Sequence, residues 1–235
     1  MGDLAHSEAL AHLILDQIPD NLSARLLLAE LLLSQGRFGE GWPYYEARIA
    51  YRVAVGGTPQ AVPSYPRWNG EQLAGKSIVI WPEQGLGDQI QFSRFVPALV
   101  ALGARVTLLV GPELAPILQH LGAEVMTIVD GIHIPPHDFW TYPGSLPLHL
   151  GFLPSEPYLE AQFPSPSTTL RIGLAWQGNS SQSNDSNRRA TPEIFRPLLG
   201  QSTQLVSLSP AQTNAKNFAQ TAAMIDQLDL GRVVI

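Results

Sequence analysis

The sequence predicts an α/β fold in which a helical segment precedes two units that each contain a parallel β-sheet. From Lys76 onward, short apolar runs alternate with helical patterns, and the alternation occurs twice, before and after a proline-rich stretch. Short turns between such elements imply parallel strands with right-handed crossovers. Upstream of Lys76 the apolar residues instead recur with a helical period.

Composition narrows the class of protein before any motif is considered. The chain has 235 residues, of which 45% are hydrophobic and 14% charged, so we expect a folded globular protein. The net charge is −6, lysine occurs only at Lys76 and Lys216, and no basic stripe favours nucleic acid as a partner. Cysteine is absent, which excludes disulfides, thiolate metal sites and cysteine catalysis. Without a signal-peptide start or a membrane-length apolar run, a cytoplasmic protein with no transmembrane segment is expected.

Residues 1–51 are predicted to form helices. Their apolar positions follow a helical spacing at Leu10, Leu13, Ile14, Leu28, Leu31 and Leu32. Residues 19–21 break the first helix, Asn21 or Ser23 caps the second, and Gly36 ends it before a third helix at 37–49. The pattern resembles a tetratricopeptide repeat, of which only about one and a half copies are present. Such a short hairpin should dock on the next domain or continue lost upstream repeats, and it is a candidate surface for a protein partner.

Residues 52–76 are rich in glycine and proline and are interpreted as a linker, with Trp68 as an apolar packing anchor. The first α/β unit follows at 77–168. Its predicted strands are 77–81, 105–110 and 125–129, its predicted helices are 88–101 and 112–121, and 130–168 is expected to be irregular.

The second α/β unit is assigned to 169–235. Its predicted strands are 171–176, 204–208 and 232–235, and its predicted helices are 191–199 and 218–227. The last strand has no following helix to cover it, so the chain is expected to be a truncated part of a longer protein. A unit this short has a marginal core on its own and should lean on the first.

The run EQGLGD, from Glu83 to Asp88, lies where the first strand passes into a helix. Gly85 and Gly87 are expected to allow a sharp turn and a close approach of backbone to ligand. The helix N-terminus offers free N–H groups, and ligands of parallel sheets bind at the carboxyl ends of strands. Alternatively, the glycines only form the turn and Asp88 only caps the helix, a contribution of about 1 kcal/mol. The run is not a P-loop, because no Gly-Lys-Ser/Thr follows.

A second polar segment follows the first strand of the second unit. It begins at Gly178 and Asn179 and continues through 180–189, where Arg188 and Arg189 precede a predicted helix. Arginine forms two-pronged contacts with phosphates, so these residues are candidates to neutralise a diphosphate. The alternative is a solvated polar loop.

Two other chemistries are disfavoured. His133, His137 and Asp138 could suggest a metal site, but two prolines between the histidines rule out a helical i, i+4 pair. A serine hydrolase is also disfavoured, because no Gly-x-Ser-x-Gly elbow occurs.

A series of short motifs along the chain indicates a resemblance to a known protein family. They are GRFxEGWxxYExR at 36–48, WNGxxLxGK at 68–76, EQGLGDxIQFxR at 83–94, SLP at 145–147, PYL at 157–159, GLxWxGN at 173–179 and NDxNR at 184–188. Together they resemble tetratricopeptide-linked proteins of glycosyltransferase family 9, the heptosyltransferase-like group. The run at 83–94 is the most specific of them.

The resemblance implies a GT-B fold, in which two Rossmann-like domains face each other across a cleft. The N-terminal domain would hold a sugar-type acceptor and the C-terminal domain a nucleotide sugar, for inverting transfer without a metal or other cofactor. Asp88 would be the base that deprotonates the acceptor. The acceptor side would include Glu83, Gln84, Gly85, Gly87, Gln91 and Ser145. The donor phosphates would lie against Gly178, Asn179, Arg188 and Arg189.

A physical objection applies to Asp88 as a base. A helix N-terminus favours the ionised carboxylate and thereby weakens it as a proton acceptor. The role survives if the cleft desolvates the carboxylate and the acceptor hydroxyl binds within hydrogen-bond reach.

The chain also departs from the family pattern. The family continues beyond Ile235 into an Asp-Thr-Ala-x-x-His segment that contacts the donor, and Arg189 stands where a serine is usual. The resemblance therefore implies a chain that is inactive on its own. Two alternatives stay open: a non-enzymatic protein-interaction module with an α/β scaffold, and a nucleotide-binding regulator without transfer chemistry.

Overall fold

The computed structural model describes residues 3–57, 61–159, 170–174, 190–198, 203–207 and 232–233. The chain divides into two compact units. The first comprises Met1–Val110 and Leu121–Tyr158, and the second comprises Gly111–His120 and Leu159–Ile235. The domain boundaries expected from the sequence, after residues 51, 76 and 168, stay predictions.

The first unit begins with four helices, α1 (Leu4–Gln17), α2 (Leu22–Ser34), α3 (Phe38–Tyr45) and α4 (Ala47–Ala54). The Asn21 side chain caps α2 by accepting a 2.9 Å hydrogen bond from the Ala24 N–H, which settles the choice between the two predicted caps. Gly36 follows α2 at a φ of +76°, as its predicted role at the helix end requires. The single helix predicted at 37–49 is wrong, because it is interrupted at Glu46, between α3 and α4. Pro43, which removes one helical hydrogen bond, lies three residues before the interruption.

The first three helices pack around a small apolar core. Ala11, Leu28 and Leu32 are buried there, with Leu15 and Tyr44 packed against them. Gly41 of α3 lies so close to α2 that an added Cβ would come within 2.8 Å of the Leu33 side chain. The missing side chain therefore permits the close crossing of α2 and α3.

Four parallel strands form the sheet of the first unit, β1 (Ser77–Ile80), β2 (Arg105–Val110), β3 (Glu124–Thr127) and β4 (Phe139–Thr141). Their order is β3-β2-β1-β4. The predicted α/β class with a parallel sheet is thus confirmed. The prediction that 130–168 is irregular is wrong at β4, which pairs with β1 through Ile78 and Phe139. Three residues are too few to show an alternating pattern, so the strand has no local signature.

Two helices, α5 (Leu86–Ser93) and α6 (Val96–Ala101), follow the carboxyl end of β1. The single helix predicted at 88–101 is therefore interrupted at residues 94–95, just before Pro97. Proline is tolerated in the first turn of a helix, and here it lies in the first turn of α6. After β4, a short 3₁₀ helix (Pro143–Ser145) leads into α8 (Leu146–Leu150), so the prediction that 130–168 is irregular is also wrong here.

The sheet contributes a buried apolar cluster to the first unit. Val79, Leu109, Trp140 and Tyr142 form a buried cluster. Ile49 of α4 and Tyr65 of the segment before β1 pack against this cluster. The helical segment is therefore docked on the sheet, as expected for a hairpin too short to stand alone.

The second unit has a three-stranded parallel sheet of order β6-β5-β7. Its strands are β5 (Leu170–Leu174), β6 (Thr203–Ser207) and β7 (Arg232–Val233), close to the three predicted strands. A 3₁₀ helix, Pro192–Leu198, occupies the position of the helix predicted at 191–199. The unit also contains α7 (Ala115–Leu118), which is shorter than the predicted 112–121. The helix predicted at 218–227 lies outside the described residues.

Across the described parts of the chain, no helix combines the length and the apolarity needed to cross a lipid bilayer.

The start of β4 is tied to the start of β1 by a carboxylate. Asp138 Oδ2 accepts hydrogen bonds from the Ser77 N–H (2.8 Å) and hydroxyl (2.9 Å), and Lys76 Nζ lies 3.2 Å from Oδ1. The Ser77 bonds, with a smaller effect of Lys76, lower the pKa of Asp138 to about 2 from 3.8. A lowered folded-state pKa contributes stability above the unfolded-state value, and this contribution is lost as the pH falls through the folded-state value.

We therefore expect wild type to be more stable than Asp138→Asn at pH 5–7, with this advantage disappearing between about pH 4 and pH 2. Urea unfolding of both proteins across this pH range measures the difference. Asp130→Asn, which removes an exposed carboxylate outside β1 and β4, is the matched control. A constant gap between wild type and Asp138→Asn would contradict the assignment.

Candidate functional site

The turn between β1 and α5 has a different basis from the one its glycines suggest. Gln84 adopts the left-handed conformation, with a φ of +60°, whereas Gly85 is extended with a φ of −81°. Gly87 lies in α5. The expectation that the two glycines provide the sharp turn is therefore wrong, since the left-handed residue is a glutamine. A non-glycine residue held in this region is strained and marks a candidate functional turn.

The two glycines instead leave space beside the turn. An added Cβ at Gly87 would meet nothing within 4 Å, and one at Gly85 would meet only the Asp88 carboxylate at 3.5 Å. Asp88, in the first turn of α5, accepts a 3.1 Å hydrogen bond at Oδ2 from the Gly85 N–H. The helix-capping role that the sequence allowed for Asp88 is thus present, and one oxygen of the carboxylate performs it.

Beneath the turn lies a buried ion pair. The Arg48 guanidinium of α4 makes two hydrogen bonds to the Glu83 carboxylate, of 3.1 Å from Nε and 2.6 Å from Nη2. Both side chains are buried. Glu83 Oε1 also accepts a 2.9 Å bond from the Gly144 N–H, and a Cβ on Gly144 would come within 2.9 Å of that oxygen. This position therefore has no room for a larger residue.

The ion pair extends into what we call the buried network, which consists of Glu46, Arg48, Arg67, Glu83 and Ser145. The Ser145 hydroxyl accepts hydrogen bonds from Arg48 (2.9 Å) and Arg67 (2.8 Å) and donates one to Glu46 (2.7 Å). Glu46 also pairs with both arginines. Burial opposes the ionisation of Glu46, but the Arg48 charge and hydrogen bonds hold the pKa of this carboxyl below its usual value. Burial likewise opposes the charge of Arg48, and Glu83 outweighs it so that the pKa of Arg48 is raised.

Asp88 lies on the wall of an open groove, which we call the Asp88 groove. Its volume is about 440 Å³, and it lies between the helical segment and α5 within the first unit. Its polar lining consists of Tyr45, Asp88, Gln91 and Arg94. Its apolar lining consists of Leu33, Phe38, Trp42, Phe92, Phe95 and Leu153. A few polar groups in a mostly apolar and aromatic cavity are typical of small-molecule sites.

Some polar atoms around the groove already have hydrogen-bond partners in the protein, whereas others do not. The Tyr45 hydroxyl lies 3.0 Å from Gln84 Nε2, a contact that ties α3 to the strained turn. Burial raises the pKa of Tyr45, so its hydroxyl stays protonated at neutral pH. The Arg94 guanidinium lies 5.2 Å from the centroid of the Tyr158 ring, and its buried Nε has no hydrogen-bond partner among the described residues.

The structure distributes the predicted site residues over three places. Asp88 and Gln91 line the groove, and Gln84, Gly85 and Gly87 belong to the adjoining turn or its helix. Glu83 and Ser145 lie inside the buried network, where their polar atoms already have protein partners. Their role towards a ligand stays a prediction. Gly178, Asn179, Arg188 and Arg189 lie outside the described residues.

Sequence reasoning did not single out the part that the helical segment contributes. Trp42 and Tyr45 line the groove, and Arg48 holds the turn. All three lie in the motif at 36–48, which contributes to the family resemblance but does not by itself indicate a site role for these residues. Arg94, the last residue of the motif at 83–94, was likewise not assigned a role.

The histidine and aspartate cluster considered as a metal site has other partners. The His137 ring contacts the Pro135 carbonyl oxygen at 2.7 Å and the Thr107 hydroxyl at 2.9 Å. Asp138 is occupied by Ser77 and Lys76. Within the described ranges, no group of three or more histidine, aspartate or glutamate residues is arranged to hold a metal ion.

Fold and groove together define an α/β protein with a parallel sheet, a docked helical segment and a carboxylate at the carboxyl end of the first strand. Over 94 residues the chain is 40% identical to Protein FlbA of Caulobacter vibrioides, a match that covers 39% of this chain and 15% of that protein. The chain thus matches only a small part of the length of this relative. No protein-family model matches the chain. Comparison with solved structures gives no match either.

Proposed function

We propose that this chain belongs to a sugar-transferring protein and that the Asp88 groove holds its acceptor. The proposal rests on one observation, the half-buried Asp88 carboxylate that lines an open groove at the carboxyl end of β1. Parallel α/β sheets bind their ligands at this end of the strands. The motif at 83–94 and the GT-B architecture it implies support the same function.

The geometry supports a division of labour between the two oxygens of Asp88. Oδ2 accepts the Gly85 N–H and fixes the side chain, whereas Oδ1 has no hydrogen-bond partner among the described residues. Oδ1 is then the atom that accepts the proton of an acceptor hydroxyl. Fixing one oxygen orients the carboxylate. Correct orientation is the first requirement for a general base.

In the proposed reaction the acceptor oxygen attacks the anomeric carbon of a nucleotide sugar. The new C–O bond forms on the face opposite the leaving group, the bond to the diphosphate breaks, and the acceptor proton moves to Asp88. The configuration is therefore inverted. The leaving diphosphate takes the negative charge, and Arg188 is the residue that the family resemblance assigns to its stabilisation.

Asp88→Asn should weaken acceptor binding by roughly tenfold or more, because a hydrogen bond to a charged group contributes about 1.5–3 kcal/mol. Isothermal titration of the purified protein with a panel of methyl glycosides measures this effect. Asn preserves the size of the side chain and can still accept the Gly85 N–H, so the fold should be unaffected.

Asp130→Asn, at an exposed position outside the groove, is the matched control and should bind like wild type. Equal affinities of wild type and Asp88→Asn for every glycoside would remove Asp88 from the site. Absence of binding to the whole panel would refute the acceptor function of the groove.

A protein-interaction function is the second candidate, because α1 carries a run of exposed apolar side chains. They are Leu4, Leu10, Leu13, Ile14 and, at the helix end, Ile18. Contiguous exposed apolar residues mark interaction surfaces. The test is complementation of cells that lack the gene for this protein. If Asp88→Asn restores the wild-type phenotype and Leu13→Ser does not, protein interaction is favoured over sugar transfer.

A further inference from the structure

A second cavity adjoins the Asp88 groove at α3. Its volume is about 270 Å³, and it shares Phe38, Trp42 and Leu153 with the groove. Its remaining walls include Leu148 and Phe152, and no charged side chain lines it. We call this cavity the apolar extension. The polar lining of the groove and the apolar lining of the extension therefore meet at the same aromatic side chains.

Two aromatic side chains that line the extension are exposed to solvent. Phe38 is 41% exposed and Phe152 is 51% exposed. Trp42 stacks on Phe38 with a centroid distance of 6.4 Å and an interplanar angle of 15°. Exposed aromatic side chains that line a cavity are typical of binding sites, because their burial by a ligand is favourable.

We infer that the acceptor carries a compact apolar group beside its hydroxyl-bearing part, and that α3 of the helical segment selects for this group. The inference rests on the proposed function, since the hydroxyl must face Asp88. The apolar group then lies in the extension against Phe38 and Phe152. An apolar cavity of about 150 Å³ can hold benzene, so the extension has room for a group the size of a phenyl ring or a short branched alkyl chain.

The two-part lining determines which substrate class fits. A free sugar would satisfy Asp88 and Gln91 but leave the extension empty and its aromatic residues exposed. A purely apolar ligand would offer no hydrogen-bonding group to Asp88 or Gln91. A glycoside with a small apolar aglycone meets both linings, with its hydroxyl groups and its apolar group in adjacent cavities.

The test compares methyl and phenyl glycosides of whichever sugar binds the protein best. Burial of a phenyl ring should raise affinity by roughly tenfold to a hundredfold over the methyl compound, measured by isothermal titration. Phe152→Ala should lose most of this gain while binding the methyl glycoside like wild type. Leu13→Ala, which truncates an exposed apolar side chain on α1, should keep the gain.

Equal affinities for the two glycosides would overturn the inference, as would a phenyl gain that survives in Phe152→Ala. Sedimentation velocity tests another occupant: a dimer that Phe152→Ala converts into a monomer would show a second copy of the chain in the extension and overturn it too. These failures leave the Asp88-dependent binding of methyl glycosides intact. If Asp88→Asn binds every methyl glycoside as tightly as wild type does, the proposed function fails, and this inference fails with it.

Discussion

Replacing Arg48 by methionine is expected to destabilise the first compact unit by about 3–5 kcal/mol. Methionine keeps much of the length of the side chain but removes the guanidinium from the buried network. Among the described residues, Glu83 then stays buried with only the Gly144 N–H as a hydrogen-bond partner, and Glu46 retains only Arg67 and Ser145. The large cost comes from this uncompensated buried carboxylate rather than from the intrinsic strength of the ion pair.

Urea unfolding followed by circular dichroism measures the change in the free energy of unfolding. Arg25→Met is the matched control, because Arg25 pairs with Asp20 at 3.8 Å on the surface and such pairs contribute about 1 kcal/mol or less. A second variant, Arg48→Met with Glu83→Gln, should recover part of the loss, because it neutralises the carboxylate that was left alone. A loss below 1 kcal/mol for Arg48→Met would show that the network does not hold the fold together.

The same substitution bears on the proposed site. Glu83 immediately precedes Gln84, whose left-handed conformation must be held in place by its surroundings. Arg48 holds the residue before the strained one, and Tyr45 holds the Gln84 side chain itself. Tyr45 and Arg48 lie on either side of Glu46, where α3 passes into α4. The helical segment is therefore part of the site's framework, because it fixes the turn that presents Asp88.

Much of the fold is local in origin, and that part is predictable from the sequence. The strands β1, β2 and β3 appear as apolar runs with turn residues between them, and Asn21 and Gly36 bound α2 through well-understood capping chemistry. β4 has no such signature, because it has three residues and owes its existence to pairing with β1 and to the Asp138 contacts.

The candidate site divides in the same way. Asp88 and Gln91 could be found because they lie within one motif, where a strand passes into a helix. The network that supports them could not, since Arg48 is 35 residues from Glu83 and 97 from Ser145 along the chain. No periodicity links residues at such separations. Only the packing of the helical segment on the sheet brings them together.

Trp68→Ala is expected to cost about 3–5 kcal/mol, the usual range for deletion of a buried tryptophan side chain. Trp68 is only 2% exposed, although it lies in the glycine- and proline-rich segment interpreted as a linker. Its N–H donates a 2.8 Å hydrogen bond to the Trp140 carbonyl oxygen of β4, and its Nε1 donates one of 2.8 Å to the Glu71 carbonyl oxygen. The indole also packs edge-on against His149 of α8 at 5.3 Å.

These contacts stabilise the β4 edge of the sheet, since β4 has β1 on one side and residues 66–68 on the other. Trp68→Phe separates the two contributions: it keeps most of the apolar volume and loses the Nε1 bond, so it should cost about half as much or less. Urea unfolding of both variants measures the difference. If Trp68→Ala were no less stable than Trp68→Phe, the cavity would contribute nothing, and the segment before β1 would be a linker after all. If the expected order is found, this segment belongs to the core that positions β4, Ser145 and, through the buried network, the turn at Asp88.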